Sequence, residues 1–221
     1  MADKRVLLVE GKDDLHVIAH ILKIYGLEGK IKIKAQEGIS NLTKGINPEL
    51  FDELLNDLNE EIDATSELEK LGIVVDADLD IQARWESLAN RLRDLDYENL
   101  PLTPHPNGII LQNKGDRVPL GVWIMPDNQI PTGILENFVK MLVPEERNSL
   151  LKKAVETVES IPEEERLFSD VKIAKAEIHT YLAWQSRPGL PFGVAIREKY
   201  LQANNPNCEN FVNWLKRLFV E

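Results

Sequence analysis

The sequence predicts an α/β protein with a mostly parallel sheet flanked by helices and an α-helical C-terminal extension. Over residues 5–95, short β-branched runs alternate with segments whose apolar residues recur every three or four positions, as is typical of parallel sheets. The run at 71–76 is apolar up to its final aspartate, as expected for a strand covered by helices on both faces. Later segments show mainly helical spacing. We therefore expect an α/β domain over residues 1–142 and a helical extension over 143–221 that packs on it as one compact unit.

Local patterns predict the elements of the first half. An apolar run at 5–9 indicates the first strand, and a helix follows with apolar positions between residues 15 and 25. Residues 30–34 alternate lysine and isoleucine, which indicates a strand with one wet face near an edge of the sheet. Two more helices are expected, one starting at Pro48 and one over 81–95 with an inner stripe of Trp85, Leu88, Leu92 and Leu95.

The second half predicts a hairpin and then a series of helices. Strand-like stretches at 108–111 and 121–125 flank Asn113-Lys-Gly-Asp116, which has the composition of a hairpin turn. Helical spacing continues at 134–142, 145–160, 171–186, 193–202 and 209–219. We expect large apolar side chains to pack the helical tail onto the sheet: Trp184, Phe192, Phe211, Trp214 and Phe219. We also expect Trp123, Trp184 and Trp214 to lie in the core.

The composition excludes several classes of protein. In 221 residues, 43% are hydrophobic and 29% charged, close to globular averages, which excludes a disordered chain, a collagen and a coiled-coil rod. The single cysteine, Cys208, allows neither an internal disulfide nor a Cys-rich zinc site. Apolar runs are far too short to cross a bilayer, so we expect a cytoplasmic protein without a membrane partner. The net charge of -11 disfavours sequence-blind binding to nucleic acid unless metals or a local basic strip compensate.

The motif Asp76-Ala-Asp78-Leu-Asp80 at the end of the buried strand is the strongest chemical signal. Residues two apart on a strand project to the same side, about 6.6 Å apart at Cα, at the sheet edge where α/β proteins bind ligands. Carboxylates packed so closely repel one another unless a proton or cation intervenes, and hard oxygen ligands select Mg²⁺, Mn²⁺ or Ca²⁺. The alternative is that Asp80 only caps the following helix while Asp76 and Asp78 are solvated.

Spacing separates the other known uses of such a motif. An EF-hand loop counted from Asp76 requires glycine and glutamate where this chain has Ile81 and Ser87, so that interpretation fails. A haloacid-dehalogenase-type phosphatase would carry its motif on an early strand, with a later pair of aspartates that this chain lacks. A glycosyltransferase motif that holds a metal and a nucleotide sugar remains open.

Glu10 and Asp14 form a second acidic signal at the end of the first strand. Neighbouring parallel strands end about 4.8 Å apart, so Glu10 can approach an ion held by Asp76 and Asp78. The alternative is an ordinary strand-to-helix turn at Glu10, with Asp13 and Asp14 favoured electrostatically at a helix N-terminus.

Together these motifs resemble a known family. The stretch Val-Glu10-Gly-Lys-Asp-Asp14, followed by a strand ending in Asp76-x-Asp78, is similar to the Toprim domain of topoisomerases, bacterial primases and overcoming-lysogenization-defect nucleases. Three later stretches resemble an uncharacterised family of prokaryotic Toprim-like proteins over nearly the whole chain: Gly121-Val-Trp-Ile-Met-Pro-Asp-Asn128, Gly133-x-Leu-Glu136 and Lys175-Ala-x-Ile-x-Thr-Tyr-Leu-Ala-Trp184. The resemblance implies a Toprim-like fold.

The resemblance also implies roles for individual residues. Glu10 would be a general acid/base or metal ligand, the Asp-x-Asp pair would bind Mg²⁺, Glu136 would be a second-metal ligand and Lys175 a cation that neutralises phosphate. A snorkelling role for Lys175 at the border of its helix stays open. The chain departs from the larger Toprim enzymes, because it has no ATPase motif, topoisomerase tyrosine domain or primase core.

The expected function is metal-dependent phosphodiester or phosphoryl-transfer chemistry of nuclease type on nucleic acid. Catalysis would use Glu10 and Lys175, and Mg²⁺ or Mn²⁺ would be held by carboxylates from the set Glu10, Asp14, Asp76, Asp78, Asp80 and Glu136. The alternative is a non-catalytic metal- and nucleotide- or nucleic-acid-binding module that works with a separate partner protein.

Overall fold

A computed structural model describes residues 4–35, 68–95, 97–112 and 118–221. The helix predicted to start at Pro48 and the predicted turn at 113–116 lie outside the described residues. The strands are β1 (Arg5–Val9), β2 (Lys32–Ala35), β3 (Lys70–Asp76), β4 (Ile109–Leu111) and β5 (Leu120–Met125). The α-helices are α1 (Lys12–Ile24), α2 (Ile81–Asp94), α3 (Leu135–Met141), α4 (Asn148–Glu159), α5 (Ile173–Ala183), α6 (Phe192–Arg197) and α7 (Pro206–Phe219).

The strands form one five-stranded sheet in the order β2-β1-β3-β5-β4. β2, β1, β3 and β5 are parallel, and β4 pairs antiparallel with β5 so that Ile110 lies opposite Gly121. The α/β class, the mostly parallel sheet and the helical C-terminal part are therefore confirmed. Among the described strands, the edge position of the lysine-rich strand β2 and the pairing of β4 with β5 are confirmed as well.

Each face of the sheet carries its own apolar core. On one face, α2 packs its predicted stripe of Trp85, Leu88 and Leu92 against alternate residues of the central strands. The opposite face is covered by α1, α3 and α5–α7, whose buried side chains form one cluster with Leu7, Val74 and other strand residues. The helices after residue 143 thus share a core with the strands and α1. In the described part of the chain, no helix combines the length and apolar character needed to cross a bilayer.

Two glycines bring α7 close to the middle of the sheet. Gly72 of β3 and Gly121 of β5 are register partners. A Cβ on Gly121 would lie 2.4 Å from Cδ2 of Leu218, and one on Gly72 would lie 2.9 Å from the ring of Phe219. Side chains at these positions would push α7 away, so the packing of the C-terminal helix depends on their absence.

Several predicted helix ends are corrected by the structure. α6 ends at Arg197, five residues before the predicted end, because the backbone of Lys199 turns to a left-handed φ of 61°. α7 begins at Pro206 rather than at 209, since the side chain of Asn205 accepts a hydrogen bond from the backbone N–H of Cys208 at 3.0 Å and caps the helix. The segments predicted at 145–160 and 171–186 each start with a 3₁₀ turn before α4 and α5 begin.

The tryptophans divide between core and surface. Trp123 and Trp214 are buried, as predicted, with ring centroids 5.7 Å apart. The prediction for Trp184 is wrong: this side chain is 42% exposed, because it follows the last turn of α5.

We predict that the close contact between Gly121 and α7 is measurable as an energetic coupling. Gly121→Ala should lower the free energy of unfolding by about 1–3 kcal/mol, because the added methyl overlaps Leu218. In the double variant with Leu218→Ala, the loss should be smaller than the sum of the single losses by about 1 kcal/mol, measured by urea unfolding. The control pairs Gly121→Ala with Leu88→Ala on the opposite face, where losses should add. Additive losses in both pairs would contradict the contact.

Candidate functional site

The carboxyl ends of two adjacent strands bring Glu10 and Asp76 together. Glu10 directly follows β1 and Asp76 is the last residue of β3, its parallel neighbour. The backbone N–H of Asp76 donates to Oε1 of Glu10 at 3.3 Å. The side chain of Glu10 therefore bridges the two strand ends, as the parallel topology predicts.

Asp14 lies in the first turn of α1, which starts at the same edge of the sheet. Its side chain is buried, with only 7% of the residue exposed. A Cβ on Gly11 would lie 3.3 Å from Oδ2 of Asp14, so the carboxylate packs against the turn that connects β1 to α1. The strand-to-helix turn thus presents Glu10 and Asp14 in one place.

Glu136 reaches this edge from a third direction. It is the second residue of α3, and it is 5% exposed. The loop that leads from β5 into α3 is joined to the loop after β3, because Asp78 and Gly133 exchange backbone hydrogen bonds of 2.8 and 2.9 Å. This bridge holds the start of α3 next to the Asp-x-Asp motif.

The carboxylates lie close enough to shift the pKa values of two of these acids. Burial raises the pKa of Asp76 well above its ordinary value, and Glu10, Asp14, Asp78 and Glu136 raise it further by repulsion. Burial, with the charges of Glu10 and Glu136, likewise raises the pKa of Asp14 from 3.8 to about 7, despite backbone hydrogen bonds that lower it. We refer to Glu10, Asp14, Asp76, Asp78 and Glu136 as the acidic cluster.

Two cations contact the edge of the acidic cluster. Nζ of Lys175 on α5 lies 2.7 Å from Oε1 of Glu136 and 4.0 Å from Oδ2 of Asp13. Burial alone would lower the pKa of Lys175, but the hydrogen bond and charge of Glu136, with smaller effects from Asp13 and Asp14, raise it overall. Lys175 is therefore held in its charged form.

The second cation is Arg84 on α2, which forms an ion pair with Asp78. Arg84 is almost fully buried, whereas the side chain of Asp78 is 42% exposed and its backbone has a left-handed φ of 54°. Sequence reasoning missed Arg84. The signal that could have identified it is a cation in the first turn of the helix that the Asp-x-Asp motif leads into.

Asp80 is oriented differently from the other acids of its motif. It is the N-cap of α2, and its Oδ1 accepts hydrogen bonds from the backbone N–H groups of Gln82 at 2.8 Å and Ala83 at 3.1 Å. The capping alternative is thus what the structure describes for Asp80. Of the seven predicted site residues, the structure brings six together, Glu10, Asp14, Asp76, Asp78, Glu136 and Lys175, and gives Asp80 a helix to cap.

The acidic cluster is not a ready-made metal site. Within the described ranges, no three His, Cys, Asp or Glu side chains are arranged so that they could hold a metal ion as they stand. The cluster does hold negative charge whose mutual repulsion favours the uptake of a proton or a cation, since the pKa values of Asp14 and Asp76 are raised. Asp14, whose pKa is about 7, can exchange a proton near neutral pH.

The fold and this site define a class of protein: an α/β protein with a partly buried acidic cluster at the carboxyl edge of its parallel strands. A family model described as "Protein of unknown function (DUF3226)" matches residues 4–220. The chain belongs to this family. No curated protein and no solved structure matches the chain.

We predict that Asp14 makes the protein less stable as the pH rises from about 4 to about 7. The unfolded chain loses this proton near pH 3.8 and the folded chain only near pH 7, so the free energy of unfolding falls across that interval and levels off above it. Each pH unit between the two pKa values lowers the free energy of unfolding by about 1.4 kcal/mol. Asp14→Asn removes the effect, and should gain about 2 kcal/mol or more over wild type between pH 4 and pH 8.

Urea unfolding of both proteins across this pH range measures the difference. Asp13→Asn is the matched control, because Asp13 lies in the same helical turn but is exposed. Its replacement should change stability by less than about 0.5 kcal/mol at either pH. Parallel pH profiles for wild type and Asp14→Asn would show that Asp14 does not carry the shifted proton.

Proposed function

We propose that this protein is a metal-dependent phosphoryl-transfer enzyme of nuclease type, with a Toprim-like site, that acts on phosphodiester bonds of nucleic acid in the cytoplasm. The observation that carries the proposal is the acidic cluster, in which burial and the charges of neighbouring carboxylates raise the pKa values of Asp14 and Asp76. A stable fold tolerates buried repulsion of this kind where function requires it. Lys175, beside the cluster, supplies a positive charge where a phosphate would approach.

The donor chemistry of the cluster fits Mg²⁺ or Mn²⁺. All its side-chain donors are hard carboxylate oxygens, and the raised pKa of Asp76 indicates negative charge that its neighbours leave poorly balanced. Glu10, Asp14, Asp76 and Asp78 would hold the ion, and Glu136 would contribute to a second one. Asp80 is left out of this set because it caps α2. When bound, such an ion polarises a phosphoryl oxygen and lowers the pKa of a bound water.

The protein's own side chains divide the remaining tasks. Glu10 accepts a hydrogen bond from the backbone of Asp76, which orients its carboxylate at the edge of the sheet to take or return a proton. Lys175 acts as a point charge for a phosphate oxygen, with Glu136 holding its ammonium group in place. Arg84 orients Asp78 from the side of α2.

A second candidate function is a non-catalytic metal- and nucleotide- or nucleic-acid-binding module that works with a separate partner protein. The observation that favours it is that two acids of the cluster already have cationic partners, Asp78 with Arg84 and Glu136 with Lys175. A site balanced in this way can bind a phosphate or an ion without turning over a substrate. Turnover by the purified protein distinguishes the two candidates.

We predict that Mg²⁺ or Mn²⁺ stabilises the wild-type protein. At a hundredfold excess over the dissociation constant, the melting temperature should rise by about 5–10 °C, because the ion binds only the folded state. Asp76→Asn should abolish this rise and make the metal-free protein more stable at about pH 8, because it removes charge repulsion.

Asp80→Asn is the control, measured in the same thermal scans. Asparagine caps helices about as well as aspartate, so α2 should stay capped and the response to metal should equal that of wild type. A full response in Asp76→Asn, or none in wild type, would contradict the metal site.

We predict that the purified protein cleaves plasmid or single-stranded nucleic acid in the presence of Mn²⁺. Glu10→Gln should reduce the rate about a hundredfold or more, since glutamine can still accept the hydrogen bond from Asp76 but cannot exchange a proton. Lys175→Met should keep the thermal response to metal and slow cleavage by about 10²- to 10³-fold through loss of transition-state charge stabilisation.

Lys153→Met is the control for loss of a lysine, because Lys153 is an exposed residue of α4 whose ion pair is with Glu156. The Lys153→Met variant should cleave at the same rate as the wild type. Cleavage that persists unchanged in Glu10→Gln would point to a contaminating nuclease and favour the binding module.

A further inference from the structure

A strip of nitrogen-bearing side chains begins at Lys175 and continues away from the acidic cluster over α5, α6 and α1. Three of the chain's four histidines belong to it. His179 follows Lys175 by one turn of α5, and His16 and His20 lie one turn apart on α1. We call the following six residues the histidine strip: Lys175, His179, His16, His20, Lys23 and Arg197.

The first turn of α6 joins the two halves of the strip. A Cβ on Gly193 would lie 2.7 Å from Cδ2 of His20, so this histidine packs directly on the glycine backbone. The ring of the preceding residue, Phe192, stacks on His179 with centroids 5.0 Å apart and an angle of 29° between the planes. Adjacent residues of α6 therefore contact histidines from two different helices, which makes the strip continuous.

Positive charge flanks the histidines along the strip. Burial and then the charges of Arg197, Lys23 and His16 lower the pKa of His20, and burial and the charge of Lys175 lower that of His179. Three neighbouring acids pair with the strip. The exposed Asp13 lies 4.0 Å from Lys175, the half-buried Glu198 lies 3.5 Å from Arg197, and the buried Glu136 lies 2.7 Å from Lys175. Solvent-accessible pairs such as those of Asp13 and Glu198 contribute little and can exchange an acid for a phosphate.

We propose that the histidine strip binds one strand of single-stranded nucleic acid, with phosphates against its lysines and arginine and a base stacked on His179. The inference rests on the proposed function, because the strip starts at Lys175 and would lead a strand to the acidic cluster. His179 is exposed, and its ring is backed on one side by the buried Phe192. A neutral ring held in this way is a stacking platform for a base.

The charge of the protein favours a single strand over a duplex. A duplex carries two phosphate backbones, and the strip offers a single narrow row of cations. The net charge of -11 adds repulsion toward a second backbone. A single strand can also expose its bases to His179, which a duplex cannot.

The test is fluorescence anisotropy with labelled single-stranded DNA and RNA of about 12 nucleotides, a length within the usual site sizes, without divalent cations and with a chelator present. His179→Ala should weaken binding about five- to a hundredfold, the scale of one lost stacking contact, while His179→Phe should stay within about threefold of wild type. His105→Ala, at an exposed histidine outside the strip, should bind as wild type does.

Three results would overturn the proposed role of the strip: no binding by wild type, equal binding by wild type and His179→Ala, or a duplex of the same length bound as tightly as the single strand. A melting temperature for each variant shows that it is folded. Because binding is measured without metal, it is independent of catalysis. A strand that binds at the strip but is never cleaved with Mn²⁺ supports the strip and rejects the nuclease proposal. Cleavage by the wild type, together with unchanged binding by His179→Ala, supports the nuclease proposal and rejects the strip.

Discussion

Repulsion among the carboxylates of the acidic cluster is the interaction that the surrounding structure has to oppose at the carboxyl edge of the sheet. Burial and the charges of four neighbouring acids raise the pKa of Asp76, and the pKa of Asp14 is raised to about 7. Several features of the fold act against this repulsion. Arg84 and Lys175 each pair with one acid, and the backbone bridge between Asp78 and Gly133 keeps the loops in place. Protons bound at Asp14 and Asp76 reduce the repulsion that remains. In the proposed function, a divalent cation would take the place of these protons.

The energy that holds the cluster together comes from the two cores behind it. Parallel strands place their carboxyl ends at one edge only while β1, β3 and β5 stay side by side, and helices on both faces of the sheet enforce that. The close approach of α7 at Gly72 and Gly121 adds buried contact at the centre of the sheet. Folded proteins are only marginally stable overall, so a repulsive site of this kind depends on the stability that the two cores supply.

Charge is divided between two neighbouring regions of the surface. Acids meet at the edge of the sheet, and nitrogen-bearing side chains from α1, α5 and α6 meet beside it, with Lys175 in contact with both. Cations that bind a phosphate backbone and carboxylates that bind a metal ion repel each other's ligands, so the proposed function requires the two regions to be separate. The net charge of -11 is a sum over the whole chain and describes neither region.

The sequence by itself determined the sheet and the core of the acidic site. Apolar runs and helical spacing are local, and a parallel pairing of β1 with β3 then brings Glu10 and Asp76 to one edge of the sheet. Tertiary structure decided the remaining contacts. Lys175 pairs with Glu136 across two helices, and Arg84 turns to Asp78, because packing sets which face of each helix meets the site. Asp80 resembles its neighbours in sequence but caps α2, and Trp184 resembles a core residue but lies on the surface. Both residues lie at helix ends, and backbone hydrogen bonds set those ends in a way that residue spacing alone does not specify.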